Sequence, residues 1–425
     1  MSGKTFPLSK ARLDELVRSY PTPFYLYDEG AIRDNARAIL RAFSIFPSFK
    51  EHFAVKALPN PFILKLLAEE GLGADCSSYP ELVLADMAGI TGEDIMFTSN
   101  ETPAREYRAA RALGAVINLD DITHIDFLEK TAGIPPVISC RYNPGPLKGG
   151  NVIIGKPEEA KFGFTREQIL RAYGLLREKG VQRFALHTMV ASNDLTLYYH
   201  IETARLLFEL AVEIEEKTAV RLEFVNLGGG MGIPYRPGDE AVDYGRLAAG
   251  IQALYDRIIV PGALHPLGIR TEWGRVITGP YGWLVTRAIH TKSIYRNYIG
   301  LDASMADLMR PGLYGAYHHI TVAEKEDAPA TETYDVVGSL CENNDKFALQ
   351  RQLPAISPGD YVIIHDAGAH GRAMGFNYNG KLRCGELLLR PDKSILTIRR
   401  SETVDDYFAT LDISALGDFN GQDKT

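Results

Sequence analysis

Short apolar segments alternate with longer helical patterns through the first two thirds of this 425-residue chain. The intervening stretches carry apolar residues at helical spacing, as an amphipathic helix requires. Eight strand–helix units in succession predict a parallel (β/α)8 barrel, the TIM barrel of the α/β class. The predicted strands lie at residues 52–57, 73–77, 94–98, 115–119, 137–142, 184–189, 223–227 and 268–273.

The predicted strands have apolar bodies but end in polar, charged or glycine residues. In a (β/α)8 barrel the active site lies at the carboxyl ends of the strands, so we expect these residues to surround one site. In chain order the strand ends carry Lys56, Asp75-Cys76-Ser77-Ser78, Thr98-Ser99-Asn100, Asn118-Leu119-Asp120, Arg141-Tyr142-Asn143, His187-Thr188-Met189, Gly228-Gly229-Gly230 and Glu272-Trp273-Gly274-Arg275.

The first strand end carries Lys56, between the apolar run Phe53-Ala54-Val55 and a helix start at Asn60-Pro61. Asn60 is a favourable N-cap, and proline suits the first helical position. Burial lowers the pKa of a lysine and makes its amine a nucleophile for carbonyl groups. A lysine in such a position more often simply reaches solvent, so chemistry at Lys56 depends on its neighbours.

Two further strand ends give Lys56 suitable neighbours. The amides of Gly228-Gly229-Gly230 can approach a phosphate closely, and loops near strands seven and eight often bind phosphate in these barrels. Barrel closure brings Glu272 beside Lys56. An amine, a carboxylate and a phosphate loop together suit pyridoxal 5′-phosphate (PLP), whose ring nitrogen the carboxylate keeps protonated. The alternative is a structural ion pair between Lys56 and Glu272 beside an ordinary glycine turn.

The pattern changes after about residue 279, where period-two alternation predicts an all-β domain. We therefore divide the chain into an N-terminal segment (1–28), a PLP-binding barrel (29–278), a β-barrel-like domain (279–416) and a polar tail (417–425). Residues 144–161 form a long loop with little periodicity, which is typical of a functional lid or a disordered segment.

Composition excludes several classes of function. Lys and Arg number 46 against 54 Asp and Glu, a net charge of −8, and no basic block predicts a nucleic-acid partner. The chain has neither an apolar run of the roughly 18 residues that a membrane span needs nor the apolar start of a signal peptide. Four widely spaced cysteines predict neither disulfides nor a metal site. We expect a cytoplasmic protein.

The motifs together resemble those of the diaminopimelate decarboxylase family, and more widely the alanine-racemase-fold (type III) PLP decarboxylases that include ornithine decarboxylases. The resemblance extends from Tyr25 to about Asp405. The motifs that carry it are Ala54-Val55-Lys56-Ala57 with Pro59-Asn60, Leu227-Gly228-Gly229-Gly230, Glu272-Trp273-Gly274-Arg275, Asp302 with Arg310-Pro311-Gly312-Leu313-Tyr314, Cys341-Glu342 and Asn377-Tyr378-Asn379.

The resemblance implies a role for each matching residue. Lys56 would carry PLP, Glu272 would pair with the ring nitrogen, and Cys341 would protonate the product carbanion. The implied cofactor contacts also include Met189, Ser192, Gly229, Gly230, Gly274, Arg275 and Tyr378. The implied contacts to an amino-acid substrate are Arg275, Arg310, Tyr314, Glu342 and Tyr378. The resemblance further implies a homodimer with shared active sites, into which Cys341 reaches from the partner, and a β domain that includes residues 24–28.

Three departures from the family pattern bear on the substrate more than on the cofactor. Met189 stands where the family has the histidine that stacks on the cofactor ring. A thioether packs against an aromatic face but offers no proton. His370 replaces a tyrosine of the family, and Asn343-Asn344 follows Cys341-Glu342.

The expected activity is decarboxylation of meso-diaminopimelate to L-lysine and CO2, a step of lysine biosynthesis. Glu272 favours decarboxylation over racemisation, because racemases of this fold place arginine at the ring nitrogen. Three alternatives stay open. The first is the same chemistry on ornithine, lysine, carboxynorspermidine or a modified amino acid, and the second is a non-catalytic PLP-binding homologue. The third is a barrel hydrolase that uses Glu272 with Asp75 or Asp120 as acid and base.

Overall fold

A closed barrel of eight parallel strands and a separate nine-stranded sheet make up this chain, in a computed structural model that describes residues 4–147, 156–190, 192–414 and 416. The predicted class, a TIM barrel followed by an all-β part, is confirmed. The predicted tail and residues 148–155 of the predicted long loop lie outside the described residues. No helix of the described part is long and apolar enough to cross a membrane.

The chain begins with two helices and a strand before the barrel. These are α1 (Lys10–Ser19), β1 (Phe24–Asp28) and α2 (Glu29–Phe43). Helix α1 ends at Ser19 because Pro21 follows, and the residue before a proline disfavours the helical conformation. Asp28 ends β1 and caps α2, since its carboxylate accepts a hydrogen bond from the Ala31 amide at 3.0 Å.

The barrel strands appear in the predicted order and near the predicted positions. Each pairs in parallel with the next, and the last pairs with the first, Glu51 lying opposite Thr271. The first strand ends earlier than predicted, because residues 55–57 form a 3-10 turn instead of strand. The strands are β2 (Phe49–Ala54), β3 (Gly73–Cys76), β4 (Ile95–Thr98), β5 (Val116–Leu119), β6 (Val137–Tyr142), β7 (Arg183–Thr188), β8 (Leu222–Asn226) and β9 (Gly268–Thr271).

Helices follow the barrel strands, and side-chain caps fix several of their first turns. Asn60 caps α3 by accepting from the Phe62 amide at 3.1 Å, and Thr165 forms a capping box with Gln168 on α7. The helices are α3 (Pro61–Glu69), α4 (Tyr79–Met87), α5 (Ala104–Ala112), α6 (His124–Ala132), α7 (Arg166–Glu178), α8 (Leu197–Thr218), α9 (Tyr244–Ile258) and α10 (Arg275–Thr278).

The C-terminal sheet incorporates β1 from the start of the chain. Strand β1 lies between two of its strands, antiparallel to β10 and parallel to β16. The remaining elements are β10 (Gly282–Ser293), β11 (Asn297–Leu301), α11 (Arg310–Tyr314), β12 (Ile320–Val322), β13 (Glu332–Val337), β14 (Lys346–Leu353), β15 (Tyr361–Ile364), β16 (Gly385–Leu389), β17 (Ile395–Arg399) and α12 (Val404–Phe408).

A buried carboxylate links the sheet to the barrel next to the turn that carries Lys56. Glu386 on β16 accepts hydrogen bonds from Tyr27 at 2.8 Å and from the Asn60 side-chain amide at 3.1 Å, and it pairs with Arg399. The Asn60 amide also donates to the Ile398 carbonyl at 3.3 Å. Asn60 therefore caps a barrel helix and binds two strands of the sheet.

Replacing Asn60 by alanine tests this double role. We expect Asn60→Ala to lower the free energy of unfolding by about 2–3 kcal/mol, since a helix cap and buried hydrogen bonds are lost together. Thr165→Ala is the matched control: it removes a cap on the barrel surface without contacts to the sheet, and should cost about 1 kcal/mol. Urea denaturation measures both. Equal losses would show that the bonds to Glu386 and Ile398 contribute no stability.

Candidate active site

A cavity of about 240 Å³ opens at the carboxyl ends of the barrel strands. It receives side chains from the barrel, from α11 and from the loop after β15, so both parts of the fold build it. Of the predicted site residues, those that line it are Lys56, Met189, Ser192, Gly229, Gly230, Glu272, Gly274, Arg275, Arg310 and Tyr314.

Lys56 lies on the 3-10 turn after β2, and its side chain is exposed into the cavity. The strand ends at Ala54, three residues earlier than predicted, and the turn directs the Lys56 side chain outward. Two contacts hold this turn: the His370 amide donates to the Ala57 carbonyl at 2.8 Å, and Gly274 packs against it. A Cβ at Gly274 would lie 2.7 Å from the Ala57 Cβ, so only glycine fits.

The Glu272 carboxylate is buried just after β9 and receives two hydrogen bonds. His187 Nε2 lies 2.9 Å from one oxygen, and the Asn226 amide donates to the other at 2.7 Å. Burial lowers the pKa of His187, which makes it a neutral N–H donor. Burial also opposes ionisation of Glu272, but His187 and the positive charge of Lys56 outweigh it and lower the pKa of Glu272. The carboxylate is thus a fixed negative charge.

Two other buried carboxyl groups of the barrel behave differently. Burial and the nearby charge of Glu272 raise the pKa of Asp75, and burial raises the pKa of Glu51, both well above the ordinary range. In both groups burial favours the protonated form. In the described structure, Asp75 Oδ1 and His187 Nδ1 are buried at the cavity without a hydrogen-bond partner. Buried polar atoms without a hydrogen-bond partner at a cavity indicate that a polar ligand binds there.

The glycine loop after β8 runs close to the backbone of its neighbours. A Cβ at Gly228 would lie 2.1 Å from the Thr188 carbonyl oxygen, and one at Gly229 would lie 2.6 Å from that of Glu272. Gly230 has φ of 100°, a conformation that glycine adopts readily. These constraints leave a loop without side chains at the cavity, so that a phosphate could approach its backbone closely. The Gly229 amide donates to the Met189 sulfur at 3.3 Å.

The cavity also contains a pair of buried arginines. Arg275 and Arg310 are 8% and 3% exposed, and each donates from Nη1 to the Tyr235 hydroxyl, at 2.6 and 2.7 Å. Among the described residues no carboxylate lies within ion-pair distance of either guanidinium. Two buried cations without an acidic partner form a site for an anion.

Three predicted site residues do not line this cavity. Cys341, Glu342 and Tyr378 are exposed elsewhere on the C-terminal part, where the Cys341 thiol lies 3.4 Å from the Tyr378 hydroxyl. The bond with Cys341 and the charge of Glu342 raise the pKa of Tyr378. The single chain therefore does not bring this group to Lys56.

Sequence analysis gave no role to several residues that the structure places here. His187 and Asn226 hold Glu272, and Tyr235 holds the arginine pair. His187 and Asn226 are polar residues within apolar barrel strands, a signal that could have indicated inward-facing functional groups. Tyr235 follows the glycine loop without any periodic pattern, so no comparable signal exists for it.

The site fits PLP in its charges and its shape. An exposed lysine amine, a fixed carboxylate, a glycine loop without side chains and unpartnered buried polar atoms line one cavity. Amine, carboxylate and phosphate loop are the three groups that PLP requires. Fold and site together define a PLP-dependent enzyme built on a (β/α)8 barrel.

Residues 29–279 match the family described as pyridoxal-dependent decarboxylase, pyridoxal binding domain. The chain therefore belongs to the PLP-dependent decarboxylases, and the resemblance to the diaminopimelate decarboxylase family is confirmed. Membership in this family excludes the hydrolase alternative. Asp120 also forms an ion pair with Arg141, at 3.2 Å, and does not line the cavity.

Individual relatives cover nearly the whole chain. Protein TabA of Pseudomonas amygdali pv. tabaci is 42% identical over 98% of this chain and 96% of its own length. Diaminopimelate decarboxylase of Methanothermobacter thermautotrophicus is 35% identical over 94% of each chain. The crystal structure of the M. jannaschii diaminopimelate decarboxylase with L-lysine superposes with a TM-score of 0.86, at 28% identity over 94% of each chain.

Removing the charge of Glu272 tests its role as the partner of the ring nitrogen. We expect Glu272→Gln to retain PLP and to lower kcat about 10²–10³-fold, since a neutral amide no longer stabilises the protonated ring. Glu51→Gln is the matched control, because Glu51 is a buried carboxyl group of the same barrel that does not line the cavity. CO2 release measures turnover, and absorbance measures bound PLP. Equal activity of the Glu272→Gln variant and wild type would contradict the assignment.

Proposed function

We propose that this enzyme converts meso-diaminopimelate to L-lysine and CO2, as a step of lysine biosynthesis. The observation that carries the proposal is the buried pair of Arg275 and Arg310, which has no acidic partner among the described residues. An amino acid with a second carboxylate at its far end supplies the anion that this pair requires. Ornithine and lysine end in an ammonium group, which two guanidinium groups repel.

The residues of the cavity divide the work of binding and catalysis. PLP, when bound, supplies an electron-accepting ring conjugated with the substrate Cα. Lys56 binds the cofactor, Gly229, Gly230 and Ser192 bind its phosphate, and Gly274 lets the lysine turn pack closely. Glu272 keeps the proton on the ring nitrogen, because His187 and Asn226 hold it ionised. Met189 lines the cavity and excludes water without offering a proton.

The exposed group of Cys341, Glu342 and Tyr378 completes the site of a partner subunit in this proposal. These side chains lie together on the surface and outside the cavity of their own chain. In a homodimer the Cys341 thiol donates the proton that the Cα needs after CO2 leaves. Glu342 binds the distal ammonium of the substrate, and Tyr378 contacts substrate and cofactor.

A second candidate is the same reaction on a modified diaminopimelate-like amino acid. Two observations favour it. Protein TabA is 42% identical to this chain, whereas the diaminopimelate decarboxylases compared above are 35% and 28% identical. Met189 also replaces the ring-stacking histidine of the family. The arginine pair serves both candidates, because both substrates carry a distal carboxylate.

A substrate panel tests the proposal. The holoenzyme should release CO2 from meso-diaminopimelate and not from lysine, ornithine or carboxynorspermidine, with products identified by mass spectrometry. Arg310→Met should lower kcat/KM for diaminopimelate about 10²–10³-fold, since half of a buried anion site is lost. Arg236→Met is the control, because Arg236 is an exposed arginine that stacks on Tyr317 outside the cavity. Turnover of ornithine or lysine in preference to diaminopimelate would refute the proposal.

Subunit complementation tests the shared site. The Lys56→Ala variant and the Cys341→Ala variant should each form an inactive homodimer. The first lacks the cofactor-binding lysine, and the second lacks the proton donor. Co-expression from two tagged genes gives hybrid dimers, in which one site has both Lys56 and Cys341. With equal amounts, half of the dimers are hybrid, and activity should return to about one quarter of wild type. Absence of recovery in purified hybrids would show that each chain supplies its own proton donor.

A further inference from the structure

Tyr235 and His318 contact the arginine pair but have no assigned role in the reaction. We propose that Tyr235, assisted by His318, is a positioning residue that holds Arg275 and Arg310 as a rigid clamp for the distal carboxylate of the substrate. This inference rests on the proposed function and names the residues that determine its specificity.

One oxygen atom fixes both guanidinium groups. The Tyr235 hydroxyl accepts from Arg275 Nη1 at 2.6 Å and from Arg310 Nη1 at 2.7 Å, which uses both of its lone pairs. These are short, charge-assisted hydrogen bonds. The tyrosine is 7% exposed, so water does not compete for the hydroxyl. The separation of the two cations is thus set by one atom.

The Tyr235 ring is also held in place, by contacts with both arginines and with His318. Its centroid lies 4.9 Å from the Arg310 guanidinium carbon and 5.8 Å from that of Arg275, both within cation–π range. The His318 ring contacts it edge-on, with centroids 5.1 Å apart. The ring therefore cannot move without displacing both arginines.

His318 fixes the second guanidinium from the other side. Its Nδ1 lies 2.8 Å from the His365 carbonyl oxygen, which requires a proton on Nδ1 and leaves a lone pair on Nε2. That lone pair accepts from Arg310 Nη1 at 3.0 Å. Burial and the charge of Arg310 lower the pKa of His318 to about 3, so the ring stays neutral at neutral pH.

The charges of the holding groups decide what the clamp binds. A carboxylate in place of Tyr235 would orient the arginines equally well but would neutralise them. A hydroxyl and a neutral imidazole orient the cations and leave their charge available. The two guanidinium groups repel each other in a site that excludes water, and a bound carboxylate offsets this repulsion.

Binding of two simple ligands to the holoenzyme tests the inference. Pimelate is a seven-carbon dicarboxylate, and heptane-1,7-diol is the uncharged diol of the same length. Calorimetry should show that wild type binds pimelate more tightly than heptane-1,7-diol. Tyr235→Phe should weaken pimelate binding about 10–100-fold, because the shared acceptor is lost, and should leave binding of the diol unchanged. In turnover the same variant should raise KM and leave kcat nearly unchanged.

Control variants distinguish a loss of arginine positioning from a loss of folding or of cofactor binding. Tyr317→Phe also removes a hydroxyl from a tyrosine that stacks on arginines, here Arg236 and Arg351, and should leave pimelate binding unchanged. PLP content and Tm are compared for all variants. If Tyr235→Phe does not fold, His318→Leu should weaken pimelate binding, whereas His318→Gln, which keeps an acceptor, should restore it.

The outcomes distinguish this inference from the proposed function. If wild type does not prefer pimelate to heptane-1,7-diol, the distal carboxylate site of the proposed function is wrong. If wild type prefers pimelate and Tyr235→Phe retains the whole preference, the proposed function stands and the role of Tyr235 is refuted.

Discussion

The buried negative charge of Glu272 is the constraint on which the site depends. A carboxylate away from water is costly unless it is hydrogen-bonded. Here His187 on β7 and Asn226 on β8 supply the bonds, so three adjacent strands must keep their register for the charge to persist. Burial and the same charge raise the pKa of Asp75. The ionised Glu272 thus disfavours ionisation of its neighbour Asp75.

The C-terminal part contributes to the site as directly as the barrel does. Its loop after β15 binds the lysine turn through the His370 amide, and its helix α11 supplies Arg310. The barrel supplies the lysine, the carboxylate and the glycine loop of the cavity. The buried arginine pair combines one residue from each part, Arg275 on α10 and Arg310 on α11, so its geometry depends on how the two parts meet.

The barrel could be predicted from sequence because apolar residues recur with a different period in strands and in helices. The end of each strand follows from the position of its apolar run. Lys56, Glu272 and the glycine loop were placed correctly around one rim for this reason. Periodicity carries no information on irregular segments. The turn that exposes Lys56 and the contact between Tyr235 and His318 arise from packing between distant loops. No periodic pattern places Cys341, which the structure has exposed outside the cavity of its own chain.

The place of β1 in the C-terminal sheet has a consequence for synthesis on the ribosome. Phe24 pairs with Val285 and with Gly385, so the first strand to emerge finds its partners only after most of the chain has been made. The barrel residues emerge in between and can close meanwhile. Strand β1 is rich in aromatic residues, and both of its edges are unpaired during this interval. Unpaired strand edges promote aggregation with other chains. This topology therefore leaves β1 without its strand partners until the C-terminal part has been made.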